Sequence, residues 1–236
     1  MKEKKVHLIT GVSLFTLLFG GVMCTSRFET ESNLVQPIGE NIELPDPILD
    51  SPTSIEQALS ERRSVRDYSN APLTLAEISQ LLWAAQGFTH PSGYRTAPSA
   101  GALYPLEVYL VAGNVEDLPA GVYLYNPEKH LLKLVSEGDV RSRLSAAALG
   151  QEPVENAAAV IVIAAVFERT TGKYGDRGIQ YVHMEVGSAA QNIYLQAVSL
   201  DLGTVFIGAF DDEEVKEVVG LQDQEQPLCI MPVGRK

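Results

Sequence analysis

Two short segments of this chain combine residue types and spacings suited to binding a charged, flat ligand. The first is Arg62-Arg63-Ser64-Val65-Arg66, and the second is Ala97-Pro98-Ser99-Ala100-Gly101-Ala102-Leu103-Tyr104-Pro105. In an extended RxSxR segment, permanently charged guanidinium forks and a serine hydroxyl can converge on one phosphate. The small residues of the second segment leave backbone N–H groups uncovered, so the main chain can approach a planar heterocycle and hydrogen-bond its edge. Taken singly, each has a plainer reading: the arginines as a solvated turn paired with Glu61 and Asp67, and 97–105 as an ordinary turn.

Composition narrows the function classes. The chain has 236 residues, 45% hydrophobic and 20% charged, enough to bury one core of ordinary globular make-up. A net charge of −12 opposes a nucleic-acid surface, because phosphate-backbone binding needs a field of the opposite sign. Only Cys24 and Cys229 are present, so no disulfide framework or cysteine-rich metal site is available, and Cys229, flanked by Leu228 and Ile230, reads as a buried structural thiol. The four histidines, His7, His90, His130 and His183, lack ligand spacing, and no metal is expected.

The elements that must position the two segments follow from caps and periodicity. Residues 1–24 read as a signal peptide or membrane anchor: Lys2, Lys4 and Lys5 precede an apolar run from Val6 to Met23, an arrangement that places the domain on the extracytoplasmic side. Cys24 stands where a lipoprotein would be cleaved and lipidated, and ordinary cleavage or an uncleaved anchor are the alternatives. Residues 25–50, punctuated by prolines, read as a polar linker, and 51–236 as the folded domain. Thr53 or Ser54 caps a helix through Arg62, with Ile55, Ala58 and Leu59 spaced to face a core. Thr74 and Glu77 form a capping box for a second helix that ends at Gly87.

Strands are expected over Leu106–Ala112, Val122–Tyr125 with His130–Val135 as a hairpin, Ala157–Val166, Thr204–Ala209 and Leu228–Pro232. The continuously apolar, β-branched run 157–166 fits a central strand covered on both faces. Helices are expected over Asp139–Leu149, over 177–200 with apolar residues on nearly every side, and over Asp211–Val219. The fold class is α+β (mixed α/β), a central sheet flanked by helices on both sides.

With these pieces in order, the chain resembles the FMN-dependent nitroreductase family, and within it the SagB-type dehydrogenase branch. The resemblance rests on Arg62 to Tyr68, Ala97 to Pro105, Gly187 to Asn192, Ile207-Gly208-Ala209-Phe210 and the closing Pro232-Val233-Gly234-Arg235. It implies that Arg62, Ser64 and Arg66 grip the FMN phosphate and ribityl chain, that Arg63 adds a main-chain contact, and that Arg235 closes on the same phosphate. It further implies that Pro98, Ser99, Ala100 and Gly101 lie around the flavin across a homodimer interface, and that Ile207 and Gly208 aim backbone N–H groups at the ring.

In the SagB-type branch, the resemblance implies that Lys173 and Tyr174 form a catalytic pair in which a base removes a proton from substrate as hydride passes to flavin. A lysine serves this way when burial or a cationic neighbour lowers its pKa, and Arg177 is the neighbour in sequence. The plain alternative is a polar loop, and Ser188 departs from the histidine that many members carry after the helix glycine. The implied activity is an FMN-dependent oxidoreductase working by alternating half-reactions on a small-molecule substrate, with NAD(P)H or a quinone as electron donor. A dehydrogenase acting on a peptide-derived azoline ring and a non-catalytic flavin-binding module are the alternatives.

Overall fold

The computed structural model describes residues 41–236; the expected leader over 1–24, Cys24 and most of the linker lie outside the described residues. Three residues of the expected linker are part of the sheet: β1 (Asn41–Glu43) pairs antiparallel with Lys133 to Leu131. Its short length and prolines hide it from a periodicity argument, since three residues display too little alternation to read as a strand.

Helix α1 (Ile55–Glu61) is capped by Ser54, whose hydroxyl accepts from the Gln57 N–H, and it ends at Arg62. Only Ala58 of its expected core face is buried, while Ile55 and Leu59 are each 56% exposed. Helix α2 (Leu75–Gln86) carries the full Thr74–Glu77 capping box and packs Ile78, Leu81, Leu82 and Ala85 into the core. Three strands then form an antiparallel meander: β2 (Leu106–Ala112), β3 (Gly121–Asn126) and β4 (Leu131–Glu137). Helices α3 (Arg141–Ala147) and α4 (Glu152–Asn156) lead into β5 (Ala159–Ala165), whose seven residues are all buried, as its unbroken apolar run requires.

Lys173 and Tyr174 occupy the last turn of a short helix, α5 (Glu168–Tyr174), rather than a loop. The long helix α6 (Arg177–Ser199) follows, then β6 (Leu202–Thr204), α7 (Asp212–Val219, capped by Asp211) and β7 (Gln226–Arg235). The seven strands run β1-β4-β3-β2-β5-β7-β6, and every neighbouring pair is antiparallel.

Alternation along β5 divides the interior into two cores. Ala159, Ile161, Ile163 and Ala165 face the layer of α2 and α6, and Val160, Val162 and Ala164 face the layer of α3, α4 and α7. Cys229 on neighbouring β7 is fully buried, and that burial pushes its thiol up to about 12.

Two expectations change here. The strand expected over Thr204–Ala209 stops at Thr204, and beyond it only Ile207 bridges to Ile230. Val205 and Ile207 are buried and Phe206 and Gly208 exposed, so the two-residue alternation that reads as a strand exists without a ladder. Helix α6 likewise has an outer stripe through Gln180, Met184, Gly187 and Gln191, and it includes an apolar side chain, Met184, 59% exposed.

Candidate active site

The basic segment is seated on the end of the sheet by close packing rather than by its charges. Val65 donates its N–H to the Thr204 carbonyl at 2.9 Å, and Ser69 donates to the Arg235 carbonyl at 2.9 Å. Glycines on the last two strands make room: a Cβ at Gly203 would lie 2.7 Å from the Val65 side chain, and one at Gly234 2.7 Å from the Tyr68 ring. The Tyr68 hydroxyl donates back to the Val65 carbonyl at 2.7 Å, which closes the turn. These contacts pack Val65 and Tyr68 inward and leave Ser64 and Arg66 exposed, with Arg62 half-buried.

Arg63 does not project to a ligand. Its guanidinium donates to the carbonyls of Ser60 at 2.9 Å and Arg62 at 2.8 Å, satisfying acceptors left open at the end of α1. Arg235, expected at the same phosphate, is engaged elsewhere: it pairs with Glu77 at 2.9 Å and donates to the Pro72 carbonyl at 3.2 Å. The capping-box carboxylate of α2 thereby neutralises its charge.

Tyr194 on α6 is a site residue that the motif reading does not include. Its hydroxyl lies 3.1 Å from Ser64 Oγ and accepts from the Phe206 N–H at 2.7 Å, and the Arg62 guanidinium stacks over its ring at 5.1 Å. The available signal was a hydroxyl-bearing ring between Ile193 and Leu195 on an apolar helix, since a buried tyrosine needs a polar partner. The expectation for Ile207 is corrected. Its N–H donates to the Ile230 carbonyl at 2.9 Å and its side chain is buried, so Gly208 is left as the exposed backbone of that pair.

A second cluster forms around the small-residue loop. Ala100–Ala102 makes a single tight turn with Gly101 at φ 65°, and Ala102 and Tyr104 also take positive φ, of 53° and 46°. Backbone held in that region persists only where neighbours over-determine it. Here Ser99 Oγ accepts from the Tyr104 N–H at 2.9 Å, Arg95 stacks on the Tyr104 ring at 4.4 Å, and Arg169 donates to the Tyr104 carbonyl at 3.1 Å. Gly101 lies directly against the expected catalytic pair: a Cβ there would lie 2.7 Å from Tyr174 Oη and 2.9 Å from Lys173 Nζ. Lys173 itself is exposed, and Arg177 stacks on Tyr181 at 5.6 Å rather than on Lys173. Pro98 is exposed and Ala100 half-buried, so the loop presents backbone and small side chains outward.

Behind this loop sits Glu185, 4% exposed, with Ser99 and Arg95 facing its carboxyl and with Oε1 lacking any protein partner. Burial pushes this carboxyl up to about 7, against the lowering pull of Ser99 and Arg95. A folded-state pKa above the unfolded value means that this group's stabilisation is complete below about pH 4.5 and is lost as pH rises through about 7. Glu185→Gln, a permanent mimic of the protonated acid, is therefore expected to match wild type in Tm at pH 5. At pH 8 it should exceed wild type by about 5–10 °C, corresponding to about 2–3 kcal/mol. Thermal melts across pH check this, and a Tm difference independent of pH would show that Glu185 is not the titrating group.

Both clusters lie along α6, because Glu185 backs the loop and Tyr194 holds the basic segment, about 14 Å apart along the axis. The comparisons with known proteins bear on the family and the fold. The nitroreductase family model matches residues 59–235. A protein of Methanocaldococcus jannaschii named as a nitroreductase is 49% identical over 199 residues, 84% of this chain and 99% of that protein. The microcin B17-processing protein McbC of Escherichia coli is 31% identical over 169 residues, 69% of this chain but only 62% of McbC. A Ralstonia eutropha crystal structure described as a nitroreductase is 30% identical and superposes with a TM-score of 0.72, over 86% of this chain and 90% of that one. The fold, the order of the motifs and these matches together make the chain a member of the nitroreductase family.

Proposed function

We propose that this chain is an FMN-dependent oxidoreductase that works by alternating half-reactions on small organic substrates. The observation that carries the reading is the seating of Arg62, Ser64 and Arg66 at the end of the sheet, where Tyr194 ties Ser64 to the backbone of Phe206 beside exposed Gly208. The residues fit the cofactor. Two cations and an exposed hydroxyl suit its phosphate, and the exposed backbone at Gly208 and the small residues at 98–101 suit a flat ring. When bound, FMN supplies the hydride and electron transfer, leaving the protein to bind, orient and tune. The test is the visible absorption spectrum of the purified full chain, with mass identification of what it releases on denaturation. A yellow protein that releases FMN, bleaches under reductant and reoxidises with a quinone or nitroaromatic is expected. A folded, colourless protein that ignores added FMN would overturn the reading, and a flavin that neither bleaches nor reoxidises would leave the non-catalytic module.

A second reading, oxidation of a peptide-derived azoline ring, is favoured by one contact: Lys173 Nζ and Tyr174 Oη sit against Gly101 of the ring-facing loop. The match to a microcin-processing protein supports it. In this reading Lys173 Nζ takes a proton from substrate while Tyr174 orients the group beside it.

The assembly we propose is a homodimer. Ile55 and Leu59 are each 56% exposed one turn apart on α1, and Met184 is 59% exposed on α6, apolar surface suited to a second copy. Export or membrane anchoring through the leader, with Cys24 as the candidate lipid site, makes a quinone the donor; a chain left in the cytoplasm would draw on NAD(P)H instead.

A further inference from the structure

We propose that Tyr194 is a positioning residue that makes the site select a phosphorylated flavin over the unphosphorylated one. The inference rests on the flavin reading above and concerns one hydrogen-bond chain. A backbone N–H only donates, so the 2.7 Å bond from Phe206 makes the Tyr194 oxygen an acceptor there. The tyrosine's single O–H is then available to Ser64 Oγ, 3.1 Å away. With the Ser64 oxygen accepting that proton, the exposed serine O–H points outward as a donor.

An anionic oxygen beside Ser64 sets the whole chain running one way, from Phe206 N–H through Tyr194 and Ser64 to the anion. Each bond polarises the next, so the terminal donor is strengthened for charge rather than for a neutral group. The Tyr194 ring adds a second control, because the Arg62 guanidinium stacks over its face at 5.1 Å and is thereby held beside the same serine. Tyr194 is 9% exposed, which makes it a rigid support rather than a ligand contact.

The test measures dissociation constants of FMN and of riboflavin for the full chain, by flavin fluorescence quenching, in wild type, Tyr194→Phe, Ser64→Ala and the double variant. Tyr194→Phe keeps the ring under Arg62 and removes only the hydroxyl. Ser64→Ala, at an exposed position, leaves Phe206 bonded and guards against a folding defect in the tyrosine variant. The expected result is that each single variant weakens FMN about 10-fold while riboflavin changes less than about 3-fold, and that the double variant is no worse than Ser64→Ala. Equal weakening of both ligands, or fully additive losses in the double variant, would overturn the inference, since a merely structural tyrosine moves both ligands together. Wild type that binds neither ligand would overturn the flavin reading itself, a failure visible without any variant.

Discussion

Replacing Arg62 and Arg66 together by alanine is expected to weaken FMN binding by about 10²–10⁴-fold with little change in Tm. Each arginine supplies a hydrogen bond to a charged group, worth about 1.5–3 kcal/mol, and two such losses correspond to that range in affinity. Stability should be spared because the segment is held by Val65 and Tyr68 against Gly203 and Gly234, contacts that neither arginine makes. Salt gives a second readout. Wild-type affinity should fall as ionic strength rises, and the double variant should lose most of that dependence, because exposed charges are screened over about 8–10 Å at physiological salt. Retention of wild-type FMN affinity would show that the phosphate is not held here. The guanidinium of Arg235 would not be an immediate substitute, since it is paired with Glu77.

The next largest effect is expected at the α5 terminus. Lys173→Ala should slow oxidation of an azoline-bearing peptide by about 10²–10⁴-fold, the range for loss of a positioned acid or base. Tyr174→Phe should act in the same direction. FMN content and reoxidation by a quinone should be unchanged, and following the two half-reactions separately by flavin absorbance distinguishes the roles. If both half-reactions slow equally, the pair acts by supporting the loop at Gly101, where a Cβ would lie within 2.9 Å of both terminal atoms. If only substrate oxidation slows, Lys173 handles a proton and the azoline reading gains its direct support. Unchanged rates in both halves would remove the pair from the chemistry.

The facing of Glu185 to Ser99 and Arg95 and the tie between Tyr194 and Ser64 also explain why α6 carries polar groups on its buried side. Glu185 and Tyr194 are both buried, and each serves a different cluster. An apolar replacement at either position would keep the core yet leave a loop or a basic segment without its anchor.

Much of the scaffold is determined by local sequence. Ser54, Thr74 with Glu77, and Asp211 each start a helix because a side chain reaches an N–H three residues on, a relation visible in any four-residue window. The unbroken apolar run into Ala159–Ala165 likewise dictates a strand buried on both faces. The basic character of 62–66, on which the proposed phosphate contact rests, belongs to the same class of information, since it lies in the residue types of that segment. What only the tertiary structure decided is which side chains meet. Ser64 and Tyr194 are 130 residues apart, Gly101 touches the end of α5, and Arg235 turns to Glu77 across 158 residues. The Thr204–Ala209 region shows the limit most directly. Its alternation is real, but beyond Thr204 only Ile207 finds a partner strand, because alternation reports which side of a layer a residue faces and not whether a neighbouring backbone lies within hydrogen-bond reach. Caps and periodicity act within a turn or two of chain, whereas the site is assembled by the packing of α6 and the last strands against one sheet.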